Sequence, residues 1–318
     1  MRRIAILNQK GGVGKTTTTV NLAAALARLG YVVHVFDMDP QAHATLHLGV
    51  DPTALKASMY EVLTSGASLR EALVEIEPNL YMVGSHIDLA AAEVELVGIV
   101  GREVILRDLI KAEYSEAPDQ SAEPPIAGAQ LIAAPTQQPP RPDFILMDCP
   151  PSLGVLTLNA LTAATEVIIP LQPHFLALHG MSKLLETIAL VQRRINRDLR
   201  VRGIVLCMVE SNTRLAAEVE ADLRQYFGKQ QDPRLPWAEA VIFETRIRRN
   251  IRLAECPSHG KSILDYAPSS NGAQDYFDLA LEVVRVGPPG ARTEERAGEW
   301  ESKQAQSTPA GVHDPYND

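Results

Sequence analysis

With 318 residues, 46% of them hydrophobic, and a formal net charge of −9, the chain has ample apolar content for a core and is no general polyanion binder. Its three cysteines, Cys149, Cys207 and Cys256, are scattered in neither a disulfide nor a metal-binding spacing, which suits a reducing cytoplasm. Met1-Arg2-Arg3 leads straight into an apolar run without a signal-peptide pattern, and no apolar stretch reaches the roughly 18 residues of a bilayer span.

The first predicted strand, residues 4–7, runs into Gln9-Lys10-Gly11-Gly12-Val13-Gly14-Lys15-Thr16-Thr17, and an alanine-rich helix is expected over 21–29. This is a phosphate-binding loop: glycines let the backbone approach an anion, and the opening N–H groups of the next helix face it at the positive end of the helix dipole. Lys15 is placed to reach β- and γ-phosphates, and the Thr16 hydroxyl to hold Mg²⁺. Gln9 stands where the usual pattern has its first glycine, and Lys10 is gained one residue later. One lysine is enough for an ordinary loop, so a second at its mouth points to a nucleotide shared between two subunits.

The next strand, 32–36, ends in Asp37-Met38-Asp39-Pro40-Gln41. Period-2 spacing puts Asp37 and Asp39 on one side if the strand continues, and either can orient the attacking water or the metal ion. A strand is expected over 80–83, then helices over 88–97 and 102–112. Residues 116–142 hold seven prolines among Ala, Gln, Glu and Ser. Proline at that density blocks helix interiors and sheet ladders, so a surface loop or disordered insertion is expected. The strand 144–147 follows, ending in Asp148, the expected Walker B carboxylate for Mg²⁺. Carboxylates at the carboxyl ends of neighbouring parallel strands face the ligand crevice of an open α/β sheet.

Helices over 156–164, 181–195, 215–227 and 273–286 alternate with strands over 166–170, 201–209 and 240–243. That alternation implies a doubly wound, mostly parallel sheet flanked by helices, in a single domain over 1–286. Residues 246–252 read Arg-Ile-Arg-Arg-Asn-Ile-Arg, four arginines in seven positions. They can contact phosphates without reading sequence, or serve as surface ion pairs or nucleotide contacts. Residues 287–318 open Gly-Pro-Pro-Gly and continue polar and acidic, the composition of a disordered tail.

Five of these segments together resemble one family, the ParA/Soj chromosome- and plasmid-partitioning ATPases of the wider ParA/MinD group. Lys10-Gly-Gly-Val-Gly-Lys-Thr-Thr is similar to the deviant Walker A motif, with Lys10 its signature lysine. Asp37-Met-Asp-Pro-Gln resembles the Walker A′ segment, and Asp148-Cys-Pro-Pro-Ser-Leu-Gly resembles switch II. Ile87-Asp-Leu-Ala with Glu93-Val-Glu-Leu, and Arg249-Asn-Ile-Arg-Leu-Ala-Glu running into Pro257-Ser-His-Gly-Lys, recur there too.

The resemblance implies ATP and Mg²⁺ as cofactors. Lys10, Gly11, Gly12, Val13, Gly14, Lys15, Thr16 and Thr17 would lie around the phosphates, with Met208 and Asn250 near the adenine. It implies Thr16, Asp37 and Asp148 at the metal, and Lys10, Lys15 and Asp39 as the catalytic set. It also implies slow, partner-stimulated hydrolysis by an ATP-sandwich homodimer that binds nonspecific double-stranded DNA and answers to a ParB-like centromere protein. The expected location is the cytoplasm, on the nucleoid. A positioning ATPase of the same family for another cargo, such as a chemotaxis cluster, transfer complex or polar assembly, remains the alternative.

For DNA, Arg252 matches a family position, and Arg214 lies two residues beyond Glu210-Ser211-Asn212, where the family often has Asp-x-Arg. Arg246 and Arg248 are extra to the usual pattern, and Arg249 completes the set. MinD-type relatives end in a basic amphipathic helix; this tail has no apolar face, so no membrane partner is expected.

Overall fold

The computed structural model describes residues 1–114, 139–174, 177–210, 214–229 and 232–287. Most of the proline-rich segment and nearly all of the expected tail lie outside the described residues.

In chain order the elements are β1 (Arg2–Ile6), α1 (Lys15–Arg28), β2 (Val33–Asp37), α2 (His43–His47), α3 (Met59–Thr64), α4 (Leu69–Ala72), β3 (Leu73–Glu77), β4 (Leu80–Val83), α5 (Leu89–Glu95) and α6 (Ile105–Tyr114). After the undescribed segment come β5 (Phe144–Asp148), α7 (Val155–Ala163), β6 (Glu166–Leu171), α8 (Ala177–Arg194), β7 (Arg200–Val209), α9 (Arg214–Lys229), β8 (Val241–Arg248), α10 (Ile251–Glu255), α11 (Ile263–Tyr266) and α12 (Asn271–Arg285).

The strands form one sheet in the order β3-β4-β2-β5-β1-β6-β7-β8. Every pairing is parallel except β3 with β4. Strands β1, β2, β5 and β6 are almost wholly buried, with apolar residues at most positions, as parallel strands covered by helices on both faces must be. One core lies under α1 and α12 and holds Ile4, Ile6, Leu22, Leu26 and Tyr276; the other lies under α3 to α9 and holds Leu7, Phe36, Met147, Leu156 and Leu223. The chain builds one half of the sheet to one side of β1 and the other half beyond β6. Strand order therefore reverses at β1, where open α/β sheets place their ligand crevice.

The doubly wound expectation holds. Two elements were not expected, and one strand runs past its expected end. Strand β3 is antiparallel and half-exposed, so its Leu-Val-Glu-Ile-Glu carries too weak an alternation to announce itself. Helix α3 is only six residues long and depends on a Ser58–Glu61 capping box. Strand β8 runs to Arg248 rather than stopping at 243. An edge strand tolerates arginines at 246 and 248 because each head group swings out to a carboxylate on a helix.

Candidate active site

The loop between β1 and α1 is shaped by its backbone. Gly12 and Gly14 take φ of 72° and 92°, which only glycine adopts without strain, and Val13 anchors the loop from below at 1% exposure. Gly14 caps α1 with no side-chain hydrogen bond, so the first N–H groups of the helix stay available to an anion. Asn8 braces the loop from behind: its Oδ1 accepts the Lys10 N–H at 3.0 Å, and its Nδ2 donates to the Pro170 carbonyl at 2.7 Å.

The two lysines differ sharply in setting. Lys15 is buried, donates to the Lys10 carbonyl at 3.2 Å, and has its pKa lowered by burial against the opposing pull of Asp148 and Asp39. Lys10 is exposed, and its ammonium meets Nε2 of His174. An ammonium can only donate, so that imidazole nitrogen is the acceptor.

Register brings the acids together. Asp148 pairs with Ile6 on one side and with Asp37 on the other, so three strand ends meet at the loop. The Thr16 hydroxyl donates to Asp148 Oδ2 at 2.7 Å, and Thr19 donates to Oδ1 at 3.0 Å. Asp37 Oδ2 accepts the Thr45 hydroxyl at 2.7 Å and the Thr45 N–H at 2.9 Å, while Oδ1 accepts the Asp39 N–H at 3.1 Å. Both carboxyls are fully buried, and burial raises their pKa values, with added repulsion from Asp37 at Asp148 and from Asp39 at Asp37. Two buried acids beside a threonine hydroxyl make an oxygen-only donor set short of positive charge, which fits a divalent cation that keeps several waters.

Asp37 and Asp39 do not share a side. The strand ends at Asp37, so the period-2 relation lapses, and Asp39 turns to a cavity of 660 Å³ lined also by Gly11, Gly12, Lys15, Thr16, Gln41 and Ser152. A second cavity, of 610 Å³, shares Gly14, Thr17 and Met208 with the first, and Asn250, Ile251, Pro257 and Tyr276 close it. Met208 is left-handed at φ 54°, in a register shift between Cys207 and Val209 that turns the strand end toward this space. Asn250 caps α10 by accepting the Arg252 N–H at 2.8 Å. A cavity bordered by the loop glycines, Lys15 and Asp39 thus adjoins a more apolar one beside Met208 and Asn250.

The arginine run does not form one patch. Arg246 reaches α9 and pairs with Glu220 at 2.6 Å; Arg248 reaches α12, on the opposite face of the sheet, and pairs with Asp275 at 2.6 Å. Arg249 pairs with Glu210 at 2.9 Å and Arg252 with Glu255 at 3.2 Å. Arg214 opens α9, but its side chain lies outside the described residues. Sequence reasoning did not single out Asn8, Thr19, Thr45, His174 or Asp275. Only Thr19, inside the loop's threonine run, carried a local signal.

A glycine loop at a parallel-sheet switch point, a lysine over it, and a Thr–Asp pair at its base define a P-loop nucleotide triphosphatase. Residues 1–116 and 139–201 match the family model of an AAA domain, and the gap between them falls in the proline-rich segment. The chain is 41% identical over 285 residues, 89% of its length and 98% of the relative's, to the sporulation initiation inhibitor protein Soj of Bacillus subtilis. It is 41% identical over 284 residues, 89% and 96% of the two chains, to the chromosome-partitioning ATPase Soj of Thermus thermophilus. Among solved structures, cobyrinic acid a,c-diamide synthase from Mycobacterium smegmatis, with bound ATP analogue and magnesium, is 33% identical with a TM-score of 0.68, covering 90% of this chain and 95% of that one. The chain belongs to the ParA/Soj family of partitioning ATPases. Among the described residues no helix is long and apolar enough to cross a membrane.

Proposed function

We propose that this protein is an ATP-driven DNA-segregation ATPase. It takes ATP and Mg²⁺ at the loop and closes face to face with a second copy. The pair then binds duplex DNA without reading its sequence and lets go when hydrolysis loosens it. A ParB-like centromere protein stimulates that hydrolysis, and the cycle runs in the cytoplasm on the nucleoid.

The observation that carries this reading is the unequal setting of the two lysines. Lys15, buried and tied to its own loop, serves the phosphates of its own subunit. Lys10, exposed at the mouth on a neutral imidazole, is free to be drawn to the stronger charge of phosphates presented by a second copy. A Cβ on Gly11 meets nothing within 4 Å in the single chain, so the glycine there matters for close approach of a partner.

Within each site Gly12, Gly14 and the N–H groups of Thr16 and Thr17 cradle the phosphates, and the apolar cavity by Met208 and Asn250 takes the base. Thr16 and Asp148, with Asp37 behind, would hold Mg²⁺, and the ion would supply positive charge against that developing on the phosphates. Asp39, the carboxylate that lines the phosphate cavity, accepts a hydrogen bond from the attacking water and orients it. Arg249 and Arg252, the more outward of the arginines with Arg246, supply phosphate contacts to DNA together with Arg214.

The test is binding to nonspecific duplex DNA at low salt without nucleotide, with ADP, and with ATP and Mg²⁺, for wild type and Lys10→Ala. Binding that needs ATP and disappears in the variant is expected. Equal binding in all states, or none in any, would sink the reading.

A further inference from the structure

We propose that Glu93 is a positioning residue for ATP hydrolysis, acting through Gly154 on the segment 149–154. The inference rests on the reading of the 660 Å³ cavity as the phosphate site.

Helix α5 stands at the edge of that cavity, where Ala90 forms part of its lining. One turn on, Glu93 lies against Gly154: a Cβ placed on the glycine would sit 1.9 Å from Glu93 Oε1. That oxygen is buried and has no hydrogen-bond partner among the described residues. Gly154 is in turn the N-cap of α7 and brings no side-chain hydrogen bond, so the opening N–H groups of a nine-residue helix have no partner within it. A buried acceptor without a donor thus faces a helix start without an acceptor. The two halves of a capping interaction touch but are not joined.

The body of α7 is pinned. Asn159 Oδ1 accepts the Leu106 N–H at 3.1 Å, and Asn159 Nδ2 donates to the Arg102 carbonyl at 2.7 Å. The segment that leads into it is tied to α7 by the Thr157 hydroxyl, which donates to the Ser152 carbonyl at 2.6 Å, and Pro150, Pro151 and Ser152 of that segment line the phosphate cavity. With a triphosphate present the segment shifts, and Glu93 takes up the N–H groups at the start of α7, where a negative charge also suits the helix dipole. Loss of the γ-phosphate separates them again. Position 154 must then be glycine, because any side chain there displaces the carboxylate. Glu93 touches no nucleotide itself.

The experiment is steady-state ATP hydrolysis with Mg²⁺ by the full chain, for wild type, Glu93→Gln, Glu93→Ala, Gly154→Ala and the double Glu93→Ala/Gly154→Ala variant, with thermal unfolding of each alongside. Glu93→Ala and Gly154→Ala are each expected to lower kcat about tenfold, with KM for ATP unchanged. The double variant should fall no further than either alone, since alanine at 154 acts by displacing Glu93. Glu93→Gln keeps an acceptor oxygen and should recover most of the rate. Losses that multiply in the double variant, an effect confined to KM, or a lowered thermal midpoint with kcat at the wild-type value would each overturn the proposal. A wild type that hydrolyses no ATP would instead sink the reading of the cavity, and the inference with it.

Discussion

The phosphate loop and the arginine segment are both short motifs dense with glycine or charge, and they come to their structures by opposite routes. In the loop the groups offered to an anion are backbone N–H groups and two lysines, and the course of the backbone follows from the φ angles of Gly12 and Gly14 and the start of α1. In the arginine segment the neighbours in sequence matter little. Glu220, Asp275 and Glu210, all from elsewhere in the chain, decide where three of the four head groups go. Arginines two residues apart, 246 and 248, end on opposite faces of the sheet. A run of basic residues is therefore a basic surface only where the fold leaves it without acids, whereas a glycine loop binds anions by its own geometry.

Four measurements break or sharpen that contrast. Lys15→Ala removes a buried cation from the proposed phosphate site and should cost hydrolysis on the order of a hundredfold or more, since removing a single preorganised donor typically costs that much. A smaller loss would mean the backbone alone carries the site.

Arg248→Ala should act on the fold. It takes from Asp275, which is 5% exposed, the Nε donor at 3.0 Å and the Nη2 donor at 2.6 Å, and leaves it only the backbone N–H of residue 248 at 2.9 Å. The expected loss is about 1–3 kcal/mol in denaturant unfolding, reduced from that of a fully buried pair because the arginine itself is partly exposed. Weaker nucleotide binding should accompany it, because Arg248 lines the cavity by Met208 and Asn250. If the variant unfolds like wild type but loses DNA, the two faces have been misassigned.

Glu220→Gln frees both Arg246 and Arg224 from the carboxylate they share. DNA affinity with ATP should rise several-fold at low salt, and the gain should shrink as salt is added. Unchanged affinity would place Arg246 away from DNA.

Arg249→Ala is the mildest. Its pair with Glu210 is largely exposed, so the unfolding midpoint should hold. DNA binding should weaken a few-fold, with the salt slope reduced by about one. A shift in the midpoint without a change in DNA binding would reverse the roles given to Arg248 and Arg249.

How much was legible follows the same division. The loop, Lys10, Lys15, Thr16 and Asp148 could be read because a strand, a glycine turn and a helix are neighbours in sequence, and the Thr16–Asp148 hydrogen bond follows from a known strand-end arrangement. Asp37 and Asp39 were legible as site carboxylates, but their division was not. It depends on where β2 stops and on Thr45, eight residues beyond Asp37, turning back to it. Asn8 as the brace of the loop depends on Pro170 in β6, and the Lys10–His174 contact on the segment just after it; neither leaves a trace in the loop's own residues.

By itself the sequence determined the parallel α/β class, the phosphate loop and its second lysine, and the acids at the strand ends. Those features depend on short-range backbone geometry and on apolar runs that must be buried. Only the tertiary structure decided the partner of each arginine in 246–252, which aspartate faces the phosphate cavity, and the meeting of Glu93 with Gly154. Charges and carboxyl groups act over a few ångströms in space, and the chain brings those atoms together from positions that nothing in their local sequence marks as neighbours.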